Sequence, residues 1–183
     1  MSATSRPTVV LVGPPGAGKS TVGAAVAERL GVPLHDTDAA IEAASGRSIS
    51  DIFVEDGEPA FRALERAEVA RALAQERGVV ALGGGAVMDP VTREALAGHT
   101  VVFLDVSIAD ASKRIGFDRS RPLLAVNPRA SWVAMMKDRR PVYEQVAALR
   151  VDTAGRAPRE IADEVVRRLA ELSEWEDRAQ ADG

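Results

Sequence analysis

The chain has 183 residues, enough for one domain with a substantial core, and its 46% hydrophobic and 27% charged residues are usual for a globular protein. A net charge of −4 and an aromatic content of 4% argue against a surface that binds nucleic acid by charge and stacking. The absence of cysteine excludes disulfides, thiolate zinc sites and cysteine nucleophiles.

We expect neither an N-terminal signal peptide nor a membrane-spanning helix. The first apolar run is too short for a signal peptide, and no stretch approaches the roughly 20 apolar residues of a membrane helix. We therefore expect a cytoplasmic protein with no membrane partner. His35 and His99 are far apart in sequence, and we expect each to be structural or exposed.

The first elements predict half of a βαβ unit. TVVLV (8–12) is a continuous apolar run, as in a strand buried on both faces. A glycine-rich turn follows, and then a helical pattern over 20–31 that Gly31 can cap.

The same alternation continues to the end of the chain. Apolar runs predict further strands at 32–36, 79–82, 100–106 and 149–153. Helical patterns occupy 38–44, 48–57, 58–75, 90–97, 108–115, 130–147 and 158–173. Alternating strands and helices imply an α/β fold with a parallel sheet covered by helices.

Two segments interrupt this alternation. Residues 116–130 form a polar stretch with two prolines between two helices, and such a long loop is usually functional or disordered. The tail, about 174–183, is expected to be disordered or frayed, and no role is assigned to it.

GPPGAGKS (13–20) fits the phosphate-binding pattern G-x-x-x-x-G-K-[ST]. Its glycines allow the backbone N–H groups to surround an anion, and the following helix presents its positive end to the same phosphates. Lys19 can reach the β- and γ-phosphates, and the Ser20 hydroxyl can bind Mg²⁺. The predicted nucleotide-binding residues of this loop are Gly13, Gly16, Ala17, Gly18, Lys19, Ser20 and Thr21.

The rest of the chain narrows the use of the nucleotide. The Asn-Lys-x-Asp motif by which GTPases select guanine does not occur. A small nucleotide-binding protein with a long late loop points to phosphate transfer onto a small molecule, since such transfer needs a lid that excludes water.

Asp36 and Asp38 follow the second predicted strand, at the end where ligands of α/β sheets bind. Residues two apart in extended structure point the same way, so both carboxylates can face one site. One can hold Mg²⁺, and the other can accept a proton from an attacking hydroxyl. The alternative is that Asp38 only caps the helix that begins there.

Arginines and a second glycine-rich turn supply further candidates. Arg62 lies in a glutamate-rich helix, where a surface ion pair with Glu58 would be worth little. LGGGAV (82–87) follows a strand, so its glycines allow either close approach of a ligand or a tight turn. Arg139 and Arg140 precede a proline.

Together these segments resemble the shikimate kinase family. GPPGAGKS, DTD, FRALE, GGG, RPLL and RRPVY occur in the family's order and at similar spacing over about residues 8 to 165. The resemblance implies a five-stranded parallel sheet flanked by helices on both sides, in a single P-loop kinase domain spanning 1–183. It also implies a mobile lid at about 116–128 and a substrate-binding helical region at about 38–66.

The resemblance implies ATP-dependent phosphorylation of the 3-hydroxyl of shikimate, which yields shikimate 3-phosphate and ADP on the way to chorismate and aromatic amino acids. Asp36, with Ser20, would hold one Mg²⁺ per subunit, and Asp38 would bind shikimate hydroxyls and act as or support the base. Arg62 and Arg139 would hold the substrate carboxylate, and Gly83, Gly84 and Gly85 would line the same pocket. A monomer is expected.

Other roles also follow from the resemblance. Arg121 would close with the lid over the phosphates and, with Lys19 and Asp38, form the catalytic set. Arg114 and Arg156 match positions where the family holds adenine. Spacing selects Arg139 over Arg140 without excluding the latter.

Two further interpretations concern residues near these motifs. Phe53 and Phe61 could form an apolar wall against the ring or could be ordinary core residues. Asp105, which ends a predicted strand, looks like a metal-binding aspartate of other P-loop proteins, but the resemblance gives that role to Asp36 and leaves Asp105 structural.

Two alternatives remain. A kinase of another polyhydroxy acid, such as gluconate, could use a related scaffold, although the FR..E and GGG segments favour shikimate. A regulatory nucleotide-binding module without turnover would be expected to lack Lys19, Asp38 or Arg121, and all three are present.

Overall fold

A computed structural model describes residues 6–115 and 127–181. Its centre is a five-stranded parallel sheet in the order β2-β3-β1-β4-β5. The strands are β1 (Val9–Val12), β2 (Leu34–Asp36), β3 (Val79–Ala81), β4 (Val101–Asp105) and β5 (Leu149–Asp152). The predicted parallel sheet and its five strands are therefore confirmed.

Helices connect the strands. In the described part of the chain they are α1 (Lys19–Leu30), α2 (Thr37–Ser45), α3 (Ile49–Asp56), α4 (Glu58–Gln75), α5 (Pro90–Leu96), α6 (Ile108–Ile115), α7 (Pro128–Val146) and α8 (Pro158–Ala181). A short 3₁₀ helix covers Ala86–Met88. No helix among the described residues is long and apolar enough to cross a membrane.

The sheet sits in the middle of the main core because its inner strands are apolar apart from Asp105. All residues of β1, β3 and β4 are buried, including Asp105 at the end of β4. The carboxyl ends of the parallel strands lie along one edge, which is where ligands of such sheets bind. The phosphate loop follows β1, Asp36 ends β2, and the GGG turn follows β3 at this edge.

A second, smaller core holds the region between β2 and β3. Ile41 of α2, Ile52 of α3 and Phe61 of α4 are buried together, and Ile49 and Phe53 pack against them. This cluster fixes the start of α4 against α2 and α3, in the region about 38–66 that the sequence predicts to bind substrate.

The C-terminal end differs from the sequence-based expectation. Helix α8 continues to Ala181, so the described residues of the predicted disordered or frayed tail are helical. The final stretch, EWEDRAQA (174–181), is rich in residues with high helix propensity, which explains why exposed chain can extend the helix. Most of the predicted lid, residues 116–126, lies outside the described residues.

An ion-pair cluster stabilises the carboxyl end of β4. Arg140 donates two hydrogen bonds to the Asp105 carboxylate, of 2.7 and 2.9 Å, and Arg150 donates a third of 2.8 Å. Burial alone would raise the pKa of Asp105, but the hydrogen bonds from the two arginines hold it below its ordinary value. These contacts agree with the structural role expected for Asp105.

We expect Asp105→Asn to lower the free energy of unfolding at pH 7 by about 1–3 kcal/mol, because two guanidinium groups lose a charged acceptor. Because the pKa of Asp105 is lower in the folded state, the charged carboxylate stabilises the folded protein fully above the unfolded-state pKa. This stabilisation is lost as the pH falls through the folded-state pKa. The difference between variant and unmodified protein should therefore shrink below pH 3.8, the ordinary pKa of aspartate. Urea unfolding at several pH values measures it.

The matched control is Asp138→Asn, because Asp138 is exposed on α7. Its effect should stay within about 0.5 kcal/mol. A loss at Asp105 that did not depend on pH would contradict the electrostatic explanation.

Candidate active site

The phosphate loop is shaped by close packing on the sheet. A side chain at Gly13 would place its Cβ 2.6 Å from the Leu104 carbonyl oxygen, so only glycine fits there. Gly16 and Gly18 both have φ of 84°, in the left-handed region that glycine adopts without strain. Lys19 begins α1, and its ammonium donates to the Gly13 and Pro14 carbonyls at 2.7 and 3.1 Å.

A cavity of about 440 Å³ opens beside this loop. It is lined by Pro15, Gly16, Gly18, Lys19, Ser20, Thr21, Asp36, Asp38, Leu82, Gly84, Arg114 and Ile115. The structure therefore joins the predicted nucleotide loop, the aspartate pair and the glycine turn in one cavity.

Asp36 has two contacts that fix its position. One carboxylate oxygen accepts a hydrogen bond from the Ala39 N–H at 3.1 Å and so caps α2, and the other accepts one from the Ser20 hydroxyl. The helix cap is thus Asp36, and the alternative that Asp38 serves only as the cap is wrong. The extended backbone predicted for the aspartate pair is also wrong, because Thr37 and Asp38 are helical. Both carboxylates nevertheless face the cavity.

Gly83 lies where two carboxylates converge. A Cβ built on Gly83 would be 2.6 Å from an Asp38 oxygen and 2.8 Å from a Glu65 oxygen. Glu65 is 3% exposed, and burial raises its pKa, an effect that the nearby Arg62 partly opposes. Burial therefore makes charging Glu65 costly, and Arg62 stabilises the carboxylate when it is charged.

Arg62 spans the region between the small core and the glycine turn. Its guanidinium donates to Glu65 at 2.7 Å and more weakly to Glu58 at 3.4 Å. It also lies against the rings of Phe53 and Phe61, with its Cζ 5.9 and 5.3 Å from their centres. The pair with Glu58 proposed from sequence is present, but the stronger contact is with a buried carboxylate rather than on the surface.

The glycine turn brings two guanidinium groups to one place. A Cβ on Gly85 would be 2.6 Å from the Arg62 guanidinium nitrogens, and one on Gly84 would be 3.3 Å from Arg139 Nη1. Phe61 is buried and packs against Phe53, with 4.8 Å between ring centres, so the rings that contact Arg62 are themselves held in place. The arrangement places two cations near two carboxylates around a backbone without side chains.

The neighbouring Arg140 points elsewhere. It pairs with Asp105 on the sheet, while Arg139 lies at the glycine turn and contributes to the electrostatic field at Glu65. Successive helical residues project about 100° apart. Of the two arginines that spacing left open, Arg139 is the one beside the turn.

The two predicted adenine contacts differ in position. Arg114 lines the cavity and donates to the carbonyls of Gly16 and Ala17 at 3.1 and 3.2 Å, which ties α6 to the phosphate loop. Arg156 is instead bound to Glu164 at 2.6 Å and to the Asp152 carbonyl. Among the described residues, the cavity lining includes Arg114 and not Arg156. Arg121 lies outside the described residues.

Two residues that build the site were not predicted. Thr37, between the aspartates, is fully buried; its hydroxyl donates to the Ala81 carbonyl and accepts from the Gly83 N–H, both at 3.3 Å. Glu65 was visible only as the last letter of FRALE. A threonine with no exposed surface between two cavity aspartates could not be recognised from sequence, because its burial depends on β3.

The geometry defines a class of protein: a P-loop phosphotransferase whose nucleotide loop faces a pocket of carboxylates and guanidinium groups. A family model described as shikimate kinase matches residues 15–170. A shikimate kinase from Thermobifida fusca is 58% identical over 91% of this chain and 96% of its own. The chain belongs to the shikimate kinase family, which confirms the resemblance drawn from its motifs.

Solved structures agree. A shikimate kinase from Acinetobacter baumannii in complex with shikimate is 35% identical, with a TM-score of 0.88 over 92% of this chain and 96% of that one. A gluconokinase from Sinorhizobium meliloti is 24% identical with a TM-score of 0.58 over 93% of this chain and 95% of that one, a likeness of fold alone.

We expect Arg114→Ala to weaken ADP binding by about tenfold, because the loop carbonyls of Gly16 and Ala17 lose their charged donor. Titration calorimetry measures the affinity. Lys113→Ala is the matched control, because the Lys113 side chain is 78% exposed one residue earlier on α6. Equal effects of the two substitutions would show that Arg114 acts only through general charge.

Proposed function

We propose that the protein transfers the γ-phosphate of ATP to the 3-hydroxyl of shikimate, giving shikimate 3-phosphate and ADP on the way to chorismate and aromatic amino acids. The observation that carries this proposal is the grouping of Asp38, Glu65, Arg62 and Arg139 around Gly83–Gly85 beside the phosphate loop. A cyclic acid with several hydroxyls needs cations for its carboxylate and acceptors for its hydroxyls, and this pocket supplies both.

The arginines would bind and orient the acceptor. Arg62 and Arg139 approach the glycine turn from α4 and α7, so a carboxylate placed at Gly84 and Gly85 would meet both guanidinium groups. Charge-assisted pairing of this kind is strong and fixes orientation. The missing side chains of Gly83, Gly84 and Gly85 leave room for the substrate to approach the backbone.

Asp38 would accept the proton of the attacking hydroxyl. It lines the same cavity as Lys19, so an acceptor held near Gly83 can face a γ-phosphate held by the loop. Positioning and electrostatic stabilisation supply most of the catalysis in phosphoryl transfer. Lys19 would stabilise the charge on the transferred group.

The oxygen donors near the loop suit one Mg²⁺ per chain. Ser20 and Asp36 are hydrogen-bonded to each other and line the cavity, and Mg²⁺ bound with nucleotide phosphates commonly uses only one or two protein oxygens. These two residues would hold the ion, which when bound neutralises negative charge on the phosphates. Asp36 stays positioned by its hydrogen bond from the α2 backbone.

Arg121 would close over the phosphates with the lid, and Arg114 and Arg156 would contact adenine or its surroundings. For Arg114 the support is its place in the cavity lining. We also propose that the protein acts as a monomer in the cytoplasm, where ATP is available.

The direct test is ADP release from Mg·ATP in a coupled assay, with shikimate, gluconate and no acceptor in parallel. Turnover is expected on shikimate alone. Asp38→Asn should lower kcat by about 100-fold or more, because general base contributions are of that size, while ADP affinity stays near that of the unmodified protein. Turnover on gluconate and not on shikimate would contradict the substrate assignment.

The adjacent arginines provide a matched pair of variants. Arg139→Ala should raise the KM for shikimate by about 10- to 100-fold, because a charged partner of the substrate carboxylate is lost. Arg140→Ala should leave that KM nearly unchanged and lower thermal stability, since Arg140 pairs with Asp105. Steady-state kinetics and thermal unfolding separate the two, and the reverse pattern would show that Arg140 holds the carboxylate.

A further inference from the structure

Tyr143 lies behind the glycine turn and outside the cavity lining described above. It is fully buried on α7, one helical turn after Arg139. Its ring stacks on Phe103 of β4, with 5.0 Å between ring centres and 24° between ring planes. The ring position is therefore set by the sheet.

The hydroxyl of Tyr143 joins two parts of the pocket. It donates a hydrogen bond to the Gly84 carbonyl, and the Arg139 guanidinium lies beside it, near the same glycine. A phenol that donates its one hydrogen still has oxygen lone pairs, so the same hydroxyl can also interact with a neighbouring guanidinium group. Burial raises the pKa of Tyr143 to about 12, so the hydrogen remains in place throughout the neutral range.

The bond to Gly84 also sets the direction of the next donor. In a trans peptide the carbonyl and the following N–H point in opposite directions. Because the Gly84 carbonyl faces the buried Tyr143, the N–H of Gly85 points away from it. One hydroxyl thus holds a peptide unit of the glycine turn and lies beside a guanidinium group at the same turn.

We propose that Tyr143 is a positioning residue that holds Arg139 and the Gly84 peptide in the geometry that recognises the acceptor carboxylate. This inference rests on the proposed function. Arg62 is held independently by Glu65 and two phenylalanine rings, so Tyr143 supplies for Arg139 the restraint that Glu65 supplies for Arg62.

The test is Tyr143→Phe, which removes the hydroxyl and keeps the ring that stacks on Phe103. The KM for shikimate is expected to rise about tenfold or more, since an interaction with a charged group is lost, while the KM for ATP changes less than about twofold. kcat should fall less than the KM rises. Equal changes in both KM values would overturn the proposal.

A second arm uses the carboxamide analogue of shikimate, which lacks the negative charge. Tyr143→Phe should raise the KM for the carboxamide much less than the KM for shikimate. The carboxamide has no negative charge, so its interaction with Arg139 is already weak before Tyr143 is changed. An equal effect on both acceptors would overturn a role that acts through the carboxylate.

Met136→Ala is the matched control for loss of packing, because Met136 is buried on the same helix. It should lower thermal stability at least as much as Tyr143→Phe, because it leaves a cavity, while the KM for shikimate remains within about twofold. If it raised that KM to the same extent, loosening of α7 would explain the result without Tyr143.

A crystal structure of the Tyr143→Phe protein separates this inference from the proposed function. The Arg139 guanidinium and the Gly84 carbonyl should both move from their positions in the unmodified protein. Failure of the unmodified protein to phosphorylate shikimate would overturn the proposed function. Unchanged positions of both groups in the variant would, independently, overturn the role of Tyr143.

Discussion

The site depends on a stretch of backbone without side chains at the carboxyl end of β3. Asp38 and Glu65 lie at Gly83, Arg139 lies at Gly84, and Arg62 lies at Gly85. A Cβ at Gly83 or Gly85 would come within 2.6 Å of one of these side chains. Two carboxylates and two guanidinium groups can therefore converge only because the turn leaves space for them. The same open backbone would admit a ligand that takes the place of solvent among these charges.

The opposite charges of the carboxylates and guanidinium groups lower the electrostatic cost of placing them together where they are partly buried. Burial raises the pKa of Glu65, and the nearby Arg62 limits that rise, so the guanidinium stabilises the charged form of the carboxylate. The small core of Ile41, Ile52 and Phe61 fixes α4 against α2, so Arg62 and Glu65 reach the turn from a rigid element. A substrate carboxylate would then meet arginines that are already oriented.

Local patterns carried much of the prediction. The strand, glycine turn and helix around 13–20 predict nucleotide binding because phosphate is held by backbone N–H groups within one short segment. Other features needed contacts distant in sequence. The cap of α2 is Asp36 rather than Asp38, and helix begins at Thr37, so the extended geometry assumed for the aspartate pair was wrong although both carboxylates reach the cavity. Thr37 is significant because it joins β3 to Gly83, which no pattern near DTD reveals.

The sequence by itself determined the alternating α/β architecture, the phosphate loop and the family, because hydrophobic periodicity and short motifs act over a few residues. Only the tertiary structure decided between Arg139 and Arg140, which differ by one position on α7 and face Gly84 and Asp105 respectively. It also decided that Arg156 pairs with Glu164 outside the described cavity lining, that Glu65 pairs with Arg62 and that Tyr143 bonds to Gly84. The physical reason is that a side chain's partner is set by how helices pack on the sheet, and that packing joins residues far apart in the chain.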